Sequence, residues 1–308
     1  MKMWQNCKQI ALNTLLSAVG YGFLYMPHCV RFNFAKGIAF LLYCLDSRRK
    51  FDLLHNLDFA YNGTLDTQKK QEILKTNYLN LVYNSIHFFM LSVSSKQRVL
   101  DTISIDKPEI IANLLEKGEK IVFVTAHFGN WEYTTPAFTC TFNHAITAVA
   151  RMTPNEIVNQ YLTKVRSRFN ITILDKKGAA SGLIRALKKT GVVGIVTDQN
   201  TADSEGLLVK FFGKNVRHTP IASLLALKYD AKIVHFIAEY SKDYRKIHIK
   251  ILPPLEFSKS EDLQADIQNL TQLQSNVLEQ IIRENPKEWL WFHKKFKNQY
   301  PEIYTQGM

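Results

Sequence analysis

The sequence predicts an α/β fold: a mixed, largely parallel central sheet flanked by helices, with a membrane-associated helical segment at the N-terminus. Three observations carry this reading. Short β-branched apolar runs alternate with helical periodicity from residue 120 onward. Residues 65–118 are helical in pattern throughout. Ile10 to Val30 contain no Asp, Glu, Lys or Arg. The 308 residues are 46% hydrophobic and 21% charged, which excludes disorder, a collagen-like fibre and a small disulfide-stapled fold. The slightly negative mean hydropathy of −0.14 excludes a multi-span transporter.

Ile10 to Val30 approach the ~20 residues a bilayer span needs. Gly20, Gly22 and Pro27 interrupt a straight helix there, and His28 is polar. A second apolar run, Gly37 to Leu45, leads to the basic cluster Arg48-Arg49-Lys50. SAVGYG is a poor cleavage site, so the segment reads as an uncleaved anchor, spanning or lying in one leaflet. The charges after it favour a cytoplasmic domain. The alternative is a buried hairpin of a soluble protein. The expected organisation is an anchor and basic flank over 1–50, then a single α/β domain over 51–308 with an aromatic and basic C-terminal segment.

Leu74, Tyr78, Leu81, Ile86, Phe89 and Leu91 give the helical stripe of residues 65–118. Strands are expected over 121–126, 145–150, 171–174, 192–197 and 232–238. Thr153-Pro154-Asn155-Glu156 reads as a capping box opening a helix whose stripe is Ile157, Tyr161, Val165 and Phe169. Thr219-Pro220 reads as the N-cap and first position of another helix. A late helix, about 262–284, is expected to bury Leu263, Ile267, Leu270, Val277 and Ile281. Cysteines 7, 29, 44 and 140 form neither a CxxC pair nor a zinc spacing and read as reduced, structural thiols.

Thirty-nine Lys+Arg against 27 Asp+Glu give a net charge of +12. That implies an acidic partner: a phosphate-bearing ligand, an anionic membrane or nucleic acid. Nucleic acid is disfavoured, because no zinc finger, RNA-recognition signature or concentrated basic helix occurs. The sharpest local pattern is His127-Phe128-Gly129-Asn130-Trp131-Glu132, directly after an apolar strand. A helix starting near Asn130 would let Glu132 fold back on the imidazole, fix its tautomer and make it a general base. With no GxSxG elbow and no adjacent cysteine, that base suits a substrate hydroxyl rather than a protein nucleophile. Arg166 lies at the edge of an apolar stripe and Arg151 just past a strand end, and both suit a phosphate. Asp198 caps a strand, where it could orient His127, Arg166 or a sugar hydroxyl. Phe211 and Phe212 suit either the core or an acyl groove. Trp289, Trp291, Phe292 and Phe296, set among Lys287, Lys294, Lys295 and Lys297, suit a membrane interface or a C-terminal helix docked on the core.

Arg48-Arg49 with Asn56-Leu57, AHFGNWE (126–132), ARMTPNEIVNQYLTKVRSRF (150–169), ALKKTGVVGIVTDQN (186–200), FFGKNVRHTP (211–220) and PKEWLWFHKKFK (286–297) occur in order along nearly the whole chain. In these motifs the chain resembles the late (secondary) acyltransferases of lipid A biosynthesis, a branch of the lysophospholipid and glycerolipid acyltransferase superfamily. The resemblance implies that fold. It implies His127 and Glu132 as the catalytic pair, and Arg166 and Asp198 as functional positions. Gln199-Asn200 depart from the acidic or His-containing versions expected there.

The implied reaction moves a fatty acyl chain from acyl-acyl carrier protein to the hydroxyl of a 3-hydroxyacyl chain on a lipid A precursor. Backbone N–H groups around Gly129 and Asn130, or an arginine, would hold the oxyanion. No metal or redox cofactor is implied. The implied partners are acyl carrier protein, an anionic glycolipid and the inner membrane at its cytoplasmic face. The rival readings are a lysophospholipid or other glycolipid O-acyltransferase, and a non-catalytic basic membrane-surface protein.

Overall fold

The computed structural model describes residues 2–305, with side chains from residue 10 onward. Helix α1 (Lys2–Tyr25) breaks at Met26-Pro27 and turns by 119° into α2 (His28–Leu45). Proline has no amide hydrogen to continue the ladder, so the chain restarts rather than bends. α3 (Ser47–Ala60) and α4 (Thr67–Val93) follow, each opened by an aspartate cap, Asp46 and Asp66. α1 lies against α4 at Gly20, where a Cβ would meet the Phe89 carbonyl oxygen at 2.5 Å. The expected all-helical stretch continues as α5 (Lys96–Thr102) and α6 (Glu109–Glu116), but a strand, β1 (Ile103–Asp106), separates them.

The central sheet then unfolds in alternation: β2 (Lys120–Thr125), α7 (Thr134–Phe142), β3 (Ile146–Ala150), α8 (Glu156–Arg166), β4 (Ile171–Asp175), α9 (Ala179–Thr190) and β5 (Val192–Val196). A hairpin, β6 (Leu207–Phe211) and β7 (Lys214–His218), stands apart as a two-stranded antiparallel sheet. α10 (Ile221–Tyr229), β8 (Ala231–Tyr240), β9 (Ile247–Ile251) and α11 (Leu263–Glu284) complete the order. The seven-stranded sheet runs β1-β9-β8-β2-β5-β3-β4. Every neighbouring pair is parallel except β8 with β9. The mixed, largely parallel α/β expectation is therefore met.

Both faces of the sheet are covered, which is why its strands read as continuous apolar runs. Along β2, Ile121 and Phe123 join one apolar cluster while Val122 and Val124 join the other. β3 and β5 pair only through Thr147↔Val193 and Ala148↔Gly194.

Several local expectations shift. The cap of α8 is Asn155, whose side chain accepts from the Ile157 and Val158 amides, not Thr153. Pro220, rather than Thr219, precedes α10 as its cap position. In α11, Ile267, Leu270 and Ile281 are buried, but Leu263 stands exposed in the first turn. Cys140 is buried, Cys29 and Cys44 are exposed free thiols, and Cys7 falls outside the described side chains.

The C-terminal aromatic segment is neither a helix nor an interfacial belt. Residues 287–299 form an irregular strap with Trp289, Trp291, Phe296 and Lys295 fully buried. Phe211 and Phe212 belong to the core beside those indoles. Asparagines on one face of α4 hold the strap. Asn77 Nδ2 donates to the Lys287 carbonyl and Asn77 Oδ1 accepts from the Trp291 amide, both at 3.0 Å. Asn80 donates to Glu288 at 3.1 Å. Asn56, from the Asn56-Leu57 motif, donates to the carbonyls of Trp291 and His293.

Candidate active site

The carboxyl ends of β2, β3, β4 and β5 open into a cavity of about 640 Å³. Crevices at this end of a parallel sheet are where α/β proteins bind ligands. His127, Glu132, Arg166, Gln199 and Asn200 line the polar part, with Arg151 and Lys176 at the rim. Phe123, Ala148, Ile173, Leu183, Gly194 and Ile195 line the apolar part. All five predicted site residues reach this region: His127, Glu132, Arg151 and Arg166 line the cavity, and Asp198 stands behind His127.

His127 lies two residues beyond the end of β2, in a turn closed by the Phe128 amide on the Ala126 carbonyl. Gly129 makes that turn possible. Its φ is +49°, and a Cβ there would meet the Ala238 carbonyl oxygen at 2.0 Å. The Gly129 carbonyl accepts from Asn84 on α4 at 2.8 Å, and the His127 carbonyl accepts from the Leu290 amide of the strap at 2.9 Å. Asn130 is fully buried and its Nδ2 faces His87 Nδ1 at 2.8 Å. Burial pushes His87 down to about 3, so it is neutral and accepts that bond.

The carboxylate on the imidazole is Asp198, not Glu132. Asp198 Oδ1 accepts from His127 Nδ1 at 2.9 Å. Its Oδ2 accepts from the His127 amide at 3.0 Å and from Trp289 Nε1 at 2.9 Å. An ionised carboxylate only accepts, so the ring proton lies on Nδ1 and Nε2 carries the lone pair. Burial alone would push Asp198 up, but the His127 and Trp289 hydrogen bonds and the imidazole charge hold it far below the carboxylate range. Burial likewise pulls His127 down, yet Asp198, with Glu132 nearby, brings the net shift above the ordinary 6.5. Gln199 Nε2 lies 3.3 Å from the free His127 Nε2.

Glu132 sits in the first turn of the short 3-10 helix Trp131–Tyr133, as the spacing suggests, but it turns to α8. Its two oxygens accept from Arg166 Nε at 3.1 Å and Nη2 at 2.6 Å. Arg166 is thus held in a bidentate pair and not left as a free clamp. The Gly129 amide, expected as an oxyanion donor, donates to the Glu288 carbonyl instead. Among the described residues no group of His, Cys, Asp and Glu side chains has the arrangement to hold a metal ion.

Trp289, which fixes the second oxygen of Asp198, escaped sequence reasoning. The ordered PKEWLWFHKKFK motif was the signal, although it names the segment and not the bond. Lys295, buried beneath the same loop, donates to the Gln199 and Arg217 carbonyls and is pushed by burial down to about 8.

Fold and site together define an α/β enzyme with a histidine–carboxylate pair at the mouth of a partly apolar cavity, whose lining among the described residues includes neither serine nor cysteine. Residues 5–298 match the family described as bacterial lipid A biosynthesis acyltransferase, and the chain belongs to that family. It is 23% identical over 287 residues to the lipid A biosynthesis lauroyltransferase of Escherichia coli K12, covering 92% of this chain and 91% of that one. It is 24% identical over 144 residues to the lipid A biosynthesis palmitoleoyltransferase of the same strain, 46% of this chain and 45% of the other. The lipid A biosynthesis acyltransferase of Shigella flexneri matches to the same extent. The protein is an acyltransferase of lipid A biosynthesis.

Proposed function

We propose that the protein transfers a fatty acyl chain from the thioester of an acyl-acyl carrier protein to the hydroxyl of a 3-hydroxyacyl chain on a lipid A precursor. The observation that carries this reading is the unprotonated Nε2 of His127, set by Asp198, in a cavity with an apolar end. The acceptor hydroxyl takes the place of the Gln199 amide at Nε2 and gives its proton to the imidazole. Its oxygen attacks the thioester carbonyl carbon. The tetrahedral intermediate then expels the carrier thiolate, which recovers the proton from Nε2. The ester forms, the C–S bond breaks, and no metal or redox cofactor takes part.

In this reading Asp198 keeps the tautomer and stabilises the imidazolium. Glu132 positions Arg166 and adds to the negative field around His127. Arg151 and Lys176, exposed at the rim, suit the phosphate of the glycolipid or of the carrier arm. The net charge of +12 fits both acidic partners.

We assign the first two helices to the cytoplasmic face of the inner membrane. No single helix among the described residues is long and apolar enough to cross a membrane, while the bent pair α1 and α2 together has the length and composition to do so. Ile10, Leu15, Tyr25, Phe40, Leu41 and Leu45 on these helices are each more than half exposed. An exposed apolar surface of this extent is costly in water and suits a bilayer leaflet.

His127→Ala is expected to keep the fold by circular dichroism and to abolish transfer. Mass spectrometry of lipid A from cells with and without the gene product reads the reaction as one added acyl mass. A His127→Ala protein that still adds that mass would overturn the reading.

A further inference from the structure

The Gly129 amide is engaged by Glu288, and Arg166 Nε and Nη2 by Glu132, so two of the donors expected for the oxyanion are committed elsewhere. The cavity wall offers another in Thr125. It is the last residue of β2 and lies on the same face as Phe123 and His127, one pleat below the catalytic ring; all three line the cavity. Thr125 is 4% exposed and its Oγ1 is buried with no hydrogen-bond partner. A buried hydroxyl without a partner is costly and uncommon, and it calls for an explanation beyond packing. Valine has almost the same shape without the penalty and suits a parallel strand equally well.

The position supplies that explanation. Above Thr125 the lining is polar, with His127, Glu132 and Gln199; below it the lining is apolar, with Phe123, Ala148 and Gly194. An acyl thioester has the same layout: an apolar tail, one carbonyl, then a polar carrier arm. Its carbonyl falls at the boundary, beside Thr125, when the tail fills the apolar end. The Cα atoms of residues two apart on a strand lie ~7 Å from each other. That span accommodates the acceptor oxygen at Nε2, the carbonyl carbon it attacks, and the carbonyl oxygen beyond.

We infer that the Thr125 hydroxyl donates a hydrogen bond to the thioester carbonyl oxygen and holds the negative charge that forms there. The inference rests on the acyl-thioester reading above. Thr125 neither gains nor loses a proton: the acceptor proton passes to His127 Nε2 and then to the leaving sulfur. The threonine only stabilises the oxyanion between those two steps.

The test is Thr125→Val beside Thr125→Ser. Loss of one oxyanion donor costs about 10² to 10³ in kcat. Thr125→Val is expected to lose that much, with KM and the His127 limb of the pH profile close to wild type and a melting temperature at or above it. Thr125→Ser restores the donor and most of the rate, which a packing role would not explain. A folded Thr125→Val protein with wild-type kcat would sink the assignment while leaving the transfer reading intact. Wild-type protein that moves no acyl group from any thioester would sink that reading and this assignment with it. If Thr125→Val is unstable, Thr125→Ser decides: near-wild-type kcat supports the donor, and a loss equal to that of Thr125→Ala overturns it.

Discussion

Asp198→Asn isolates the tautomer argument. The two carboxylate oxygens are not equivalent: Oδ2 accepts from two fixed donors, the His127 amide and the Trp289 indole, whereas Oδ1 accepts only from the imidazole. An asparagine keeps its single oxygen where two N–H groups point and turns its amide hydrogens to the ring. His127 Nδ1 then accepts, its proton moves to Nε2, and the base becomes a donor. The same inversion in a serine-protease triad, a general precedent, costs ~10⁴ in kcat. The pH profile moves as well. Wild-type activity needs the neutral ring, so it rises as pH climbs through a value above 6.5. Without the carboxylate, only Glu132 still offsets burial, and residual activity rises through a lower pH. Labelled acyl transfer from the carrier thioester, measured as kcat/KM across the neutral range, reads both effects. A variant within threefold of wild type with an unmoved limb would refute the orientation role of Asp198.

Other outcomes follow from the same geometry. Glu132→Gln leaves Arg166 without its counter-charge; a loss of about 1–2 kcal/mol in unfolding free energy is expected, less than for a fully dry pair because both side chains keep some water. Its transfer rate should fall sharply, as a kinetic assay at fixed donor would show. Ala148→Leu fills the apolar end of the cavity and should shift donor preference to shorter chains. Each methylene left outside costs about 0.8 kcal/mol, close to a fourfold change in preference, read by competition between donors of two lengths. Gly129→Ala combines a left-handed φ with a Cβ clash against the Ala238 carbonyl; a drop in melting temperature equivalent to several kcal/mol should accompany loss of transfer.

The strands that sequence made legible are those buried on both faces. Residues 121–124 and 192–196 contain no polar side chain, since parallel strands under two helical layers have no solvated side. The four missed strands have a different grammar. Ile103–Asp106 and Ile247–Ile251 alternate apolar and polar residues over only four or five positions, a signal too short to stand out beside long helices. The hairpin β6–β7 contains lysines and an arginine because part of it is exposed. His127 and Asp198 were both readable as strand-end residues. Their pairing was not, because it depends on β2 and β5 lying side by side, and they are 71 positions apart in the chain. Glu132, five residues from His127, was the nearer partner in sequence but turns toward α8 in space. The strap misled for a related reason: Trp and Lys together have the same composition whether they face a membrane or close over a core.

The buried strap makes the end of the chain part of the catalytic centre, and Asn77 tests how tightly. Asn77 lies on α4, among the core residues and outside the cavity lining, and grips the strap through the Lys287 carbonyl and the Trp291 amide. Two residues from Trp291 stands Trp289, whose indole holds Asp198, which in turn holds His127. Asn77→Ala leaves the Trp291 amide buried without an acceptor, at a cost of about 1–3 kcal/mol. If the strap only closes the core, that cost shows as a lower melting temperature, and kcat well below the transition stays at its wild-type value. If the strap sets the Asp198 geometry, kcat falls at the same low temperature and the His127 limb of the pH profile moves down with it. The chain of hydrogen bonds from α4 through Trp289 to the imidazole predicts the second outcome; unchanged kcat in folded Asn77→Ala protein would confine the strap to stability.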